Sequence, residues 1–121
     1  MDESTTSLDL VKIEERGAQS LRLVVAEMSV GHGLQGRTLE LVWEKYAVYT
    51  VINESYDNGN GADVFEGHRF RLYSQSRYLR FVEESIENVV FLHPGYKHWG
   101  VICEDHIVHV ISNCEPQISL L

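Results

Sequence analysis

Apolar and polar residues alternate with a period of two through most of this chain and switch to a helical period once. Leu39, Leu41 and Trp43 fall on one side of residues 38–43, and Thr38, Glu40 and Val42 on the other, which marks a half-buried strand. Residues 8–14, 21–28, 46–52 and 70–73 carry the β-branched and aromatic content of further strands. Arg16 and Gly17 mark a turn. Glu44 and Lys45 mark a hairpin or sharp bend that lacks the Gly or Asn of a tight primed turn. Within residues 75–86 Tyr78, Leu79, Val82 and Ile86 share one helical stripe, and Arg77, Arg80, Glu83 and Glu84 face away from it. This spacing predicts one amphipathic helix, with Ser74 or Ser76 as its N-cap. Residues 53–67 are the longest polar break and read as a loop between strands. Residues 89–92 read as a short extended run and residues 115–118 as a last edge segment.

These elements predict an α+β fold: a mainly antiparallel, curled sheet of roughly seven or eight strands, open to closing as a partial barrel, with one amphipathic helix near residues 75–86. Residues 1–7 are expected to form a disordered tail and residues 8–121 a single globular domain.

Four of the six histidines lie between His93 and His109. If Ile102 sits opposite Ile107 across a four-residue turn, Gly100 faces His109 and His98 faces Ile111. His98 and His109 then share a face as diagonal neighbours with Cα atoms roughly 7–8 Å apart. Gly100 would leave room beside His109 for a ligand. Trp99, Val101, Val108 and Val110 would occupy the opposite, core face. A slip of one residue would put the two histidines on opposite faces. Two imidazoles, with His93 as a conceivable third, fall short of the three or four ligands of a zinc site, and no HExxH or CxxC accompanies them. Hydrogen-bonded or exposed structural histidines are the plainer reading.

Other candidate chemistry is incomplete. Cys103 and His106 can meet in the turn, but no oxyanion hole or orienting third group is visible. Counted from Asp57 as a calcium loop, position three is Gly59 and position twelve is His68, which breaks the pattern. Tyr56 and Phe65 are candidate anchors for a binding loop. Arg69 and Arg71 share a strand face and can hold an anion, although Glu83, Glu84 and Glu87 offer them internal partners.

Ten basic and eighteen acidic residues give a formal charge of −8. That balance argues against nucleic acid or an anionic membrane as a general partner. The start of the chain lacks the pattern of a signal peptide, no run is long enough to span a membrane, and the two cysteines suit a reducing compartment, so a cytoplasmic location is expected. In size, charge and general texture the chain resembles small acidic bacterial proteins, toxin-neutralising immunity proteins among them, with no motif behind the likeness. The leading expectation is a non-enzymatic module that binds a protein partner, a basic one by charge, with no cofactor implied. The alternative is a small-ligand or metal site on His98 and His109, with hydrolysis as its furthest extension. A third is a homodimer formed through strand edges.

Overall fold

A computed structural model describes residues 6–17, 19–29, 35–53, 63–85 and 95–121. Within them the alternating segments form nine strands: β1 (Thr6–Arg16), β2 (Ser20–Ser29), β3 (Gln35–Trp43), β4 (Val48–Asn53), β5 (Val64–Glu66), β6 (Phe70–Gln75), β7 (Lys97–Ile102), β8 (His106–Ser112) and β9 (Gln117–Leu120). One helix, α1 (Arg77–Ser85), follows β6. Every pairing is antiparallel.

The strands divide between two sheets, ordered β1-β2-β3-β9 and β4-β8-β7-β6-β5. The curled single sheet expected from the sequence is therefore replaced by two open sheets packed together, with no closed barrel among the described residues. The reason lies in two short connections. Residues 44–47 carry the chain from β3 in the first sheet to β4 in the second, and residues 113–116 carry it back from β8 to β9. The buried Ser112 ties these crossings together. Its Oγ donates to the Lys45 carbonyl at 2.5 Å and accepts the Cys114 N–H at 3.0 Å.

The period-two pattern supplies the core. Leu21 pairs with Trp43, Leu23 with Leu41, and Val25 with Leu39, all on one face of the first sheet. They meet Val101, Val108 and Val110 of the second sheet, with Leu8 and Cys103 completing a single buried cluster. The opposite face of the first sheet carries a cross-strand charge network. There Arg22 bonds Glu40 and Glu14. On the core side, where Glu27 stands opposite Leu8, Arg37 forks onto Glu27 with Nε at 2.7 Å and a terminal nitrogen at 2.9 Å. These guanidiniums hold the carboxyls of Glu40 and Glu27 below the usual carboxylate range.

Two boundaries differ from expectation. Residues 6 and 7, assigned to the tail, already pair with Ser29 and Met28. The predicted loop at 53–67 contains β5, which turns into β6 at Gly67. Gly67 has φ +95°, and a Cβ there would stand 2.0 Å from the Phe70 carbonyl oxygen, so only glycine fits. The helix is described as far as Ser85. Residues 89–92, Tyr56 and His93 lie outside the described residues.

Candidate functional site

The C-terminal hairpin adopts the register in which Ile102 faces Ile107, Gly100 faces His109 and His98 faces Ile111. His98 and His109 are brought into direct contact, with Nε2 of His98 2.8 Å from Nδ1 of His109. His98 is wholly buried. Its Nδ1 lies 2.5 Å from Ser76 Oγ, and that oxygen also accepts the Leu79 N–H at 2.9 Å. Ser76 thus caps α1 and reaches the histidine pair at once.

Aromatic rings close the rest of the box. Tyr73, directly opposite His98 on β6, stacks on it at 3.9 Å with the planes 7° apart. Tyr78 of α1 lies 5.2 Å from His98 and 5.3 Å from His109, and its hydroxyl is 2.5 Å from Thr50 Oγ1 on β4. The space expected beside His109 is filled. A Cβ on Gly100 would sit 2.9 Å from the Tyr73 ring, so the glycine makes room for tyrosine rather than for a ligand.

This chemistry holds the helix on the sheet. Burial, and secondarily the neighbouring His109, push the His98 pKa down to about 3, so the ring is neutral at neutral pH. Two nitrogens sharing a zinc ion tetrahedrally stand roughly 3.3 Å apart, wider than the 2.8 Å of this hydrogen bond. No group of three or more metal-binding side chains occurs among the described residues.

The other sequence candidates do not converge. The Arg71 guanidinium lies 4.1 Å above the Phe65 ring, and its Nε donates to the His68 carbonyl. Arg69 is half-buried just before β6, and its carbonyl accepts the Ile102 N–H. Phe65 is half on show, 38% exposed, against Tyr73. Cys103 and His106 meet through main-chain atoms, with the Cys103 N–H bonding the His106 carbonyl, and burial pushes the Cys103 thiol up to about 12.

A different feature emerges where the sandwich stays open. β9 extends the inner face of the first sheet, with Ile118 beside Leu41 and Leu120 beside Leu39. Along these rows exposure jumps from 1% at Leu41 and Leu39 to 36% at Ile118 and 61% at Leu120. The inner face of β9 is thus only partly covered. Between the two sheets at this side lies a cleft of about 280 Å³, walled by Leu41, Trp43, Phe70, Leu72, Trp99 and Ile118. The indole N–H groups of Trp43 and Trp99 are both buried with no acceptor among the described residues. The exposed Val64 and Phe65 lie on β5, whose end borders the same cleft, and Leu121 is exposed beside β9.

The edges explain why this side stands apart. β1 carries Asp9, Lys12, Glu14, Glu15 and Arg16 and is broken by a bulge at residues 10–12, devices that discourage strand pairing. β4 is also uncharged and leaves Val51, opposite the core residue Val108, 40% exposed, while Tyr49 packs against the core and Thr50 lies under Tyr78. β9 is uncharged and carries two exposed apolar residues, Ile118 and Leu120, on its inner face beside the cleft. The sequence signal for it is modest: QISLL after Glu115, with apolar residues at 118 and 120 and no charge.

The chain matches no protein-family model, no curated protein and no solved structure to which it was compared. No helix of the described residues is long and apolar enough to cross a membrane.

Proposed function

We propose that this chain is a non-enzymatic protein-interaction module whose docking edge is β9 with the cleft beside it. One observation carries the reading: an uncharged edge strand leaves Ile118 and Leu120 of its inner face partly exposed beside an apolar cleft. An extended segment of a partner gains main-chain hydrogen bonds from such an edge and places alternate side chains in the cleft. Its carbonyls also bring acceptors to a region whose two indole donors are unmet. The charge network gives less support to a basic partner, because Glu14, Glu27 and Glu40 are already paired with basic residues of the same chain.

Trp43 and Trp99 are the chain's two tryptophans, and both wall the cleft, so intrinsic fluorescence reports on its occupancy. The test is a titration with seven-residue peptides that are apolar at alternate positions, EPQISLL among them. A saturable emission shift that scrambled peptides fail to reproduce supports the reading. No response across the set overturns it.

A further inference from the structure

We infer that the segment received by β9 is the β9 of a second copy of this chain, paired antiparallel about a two-fold axis through Ser119. The inference rests on the reading of β9 as a docking edge and names its occupant.

The hydrogen bonds of β9 fix the register. The Leu121 N–H donates to the Thr38 carbonyl, so the main-chain groups of residue 121, and by alternation those of Ser119 and Gln117, point toward β3. The N–H and C=O of Ile118 and Leu120 therefore face the open edge. An axis at Ser119 sets Ile118 of each copy opposite Leu120 of the other, and all of these edge groups then find partners. An axis one residue earlier would bring Pro116, which lacks an N–H, opposite Leu120.

Side chains and charge agree with this arrangement. Ile118 and Leu120 share one face of β9, so both copies present apolar residues to the same side of the continuous sheet. The first sheet has four strands where the second has five, and β5 borders the cleft beside β9. A strand added at β9 extends the first sheet at the mouth of this cleft. Two copies that each carry −8 repel elsewhere, and β9 offers them a contact without charge. Two-fold pairing consumes both open edges and closes the assembly. Only a short strand and its flanks are buried, so the dimer is weak.

Sedimentation velocity on the full chain, from about 5 to 500 µM, tests the proposal. The expected result is concentration-dependent dimerisation, weakened at least tenfold by Ile118→Lys or by Leu120→Asp. Mixing these two variants in equal amounts is expected to restore dimers, because the register sets residue 118 of one chain against residue 120 of the other. Restoration also shows that both variants are folded. Val11→Lys, on the opposite edge, is expected to leave dimerisation unchanged. A chain that stays monomeric, a dimer indifferent to both β9 variants, or variants that the mixture does not rescue overturns the proposal. If the chain is monomeric while alternating peptides still shift the tryptophan emission, the docking edge stands and its occupant is a different protein. If the peptides fail as well, both readings fall.

Discussion

His98 and His109 share a single hydrogen bond, Nε2 to Nδ1 at 2.8 Å, inside a box closed by Tyr73, Tyr78 and Ser76. Protonating His98 would place two donors against each other in that bond whenever His109 Nδ1 also carries a proton. It would also place a charge in a site without water access. The folded-state pKa of about 3 lies below the 6.5 of an unfolded histidine. Between those values the unfolded chain holds more protons, so stability rises with pH. The contribution is complete above pH 6.5 and is lost as the pH falls toward 3, at about 1.4 kcal/mol per pH unit. Glu14, Glu27 and Glu40 are lowered from 4.5, so the stability they contribute is lost mainly below that pH. Urea unfolding at pH 6.5 and pH 5 is expected to show a loss of roughly 2 kcal/mol for the native chain and little for His98→Gln. An equal loss in both would assign the acid sensitivity elsewhere.

The meeting of these two residues was legible in the sequence because strand alternation is strict. Once Ile102 faces Ile107, the faces of His98, Trp99, His109 and Val110 all follow. What filled the space between the elements was not legible. Tyr73 lies 25 residues from His98, and nothing local says that its ring stacks there and lies over Gly100. The division into two sheets was hidden for a similar reason. A bend at Glu44 and Lys45 looks alike whether the next strand pairs with its predecessor or crosses to another layer, and Ser112, 67 residues away from Lys45, helps fix that choice. β9 was foreshadowed by the edge segment read at residues 115–118, but its exposure depends on how far the second sheet reaches.

Ser76 serves two elements, so its removal is expected to cost more than a helix cap alone. A lost cap costs about 1 kcal/mol, and His98 Nδ1 would lose its partner in a buried site, at about 1–3 kcal/mol. Ser76→Ala is expected to destabilise the chain by roughly 2–4 kcal/mol and to speed hydrogen exchange at Leu79 and through α1. Ser76→Thr, which keeps the hydroxyl, is expected to recover most of both. If α1 exchanges at the native rate in Ser76→Ala, the serine is not what holds the helix on the sheet.

The two cysteines are expected to react very differently. Cys103 is 2% exposed, with its thiol pushed up to about 12 mainly by burial, whereas Cys114 is half-exposed at the crossing between sheets. The thiolate is the reactive form. An aromatic disulfide reagent at pH 8 is therefore expected to release one equivalent rapidly and the second only on unfolding. Cys114→Ser should abolish the fast phase. A fast phase that persists in that variant would mean that Cys103 is reached in the folded state.

Gly100 and Tyr73 are expected to be coupled, because the glycine has no side chain where the tyrosine ring lies. A methyl group at residue 100 would stand 2.9 Å from Tyr73 Cε1 and 3.3 Å from its hydroxyl oxygen. The ring cannot easily yield, since its face is stacked on His98 and Phe65 packs 5.3 Å away. Gly100→Ala is thus expected to cost about 1–3 kcal/mol, although alanine is the better residue for a strand. Tyr73→Ala removes a buried ring and is expected to cost about 3–5 kcal/mol by itself. The informative measurement is the double variant. With the ring gone, the alanine meets open space, and adding Gly100→Ala to Tyr73→Ala should be neutral or slightly stabilising. The cycle would then show a coupling of about 1 kcal/mol or more. Additive costs would instead mean that Gly100 is needed for its backbone and not for the room it gives Tyr73.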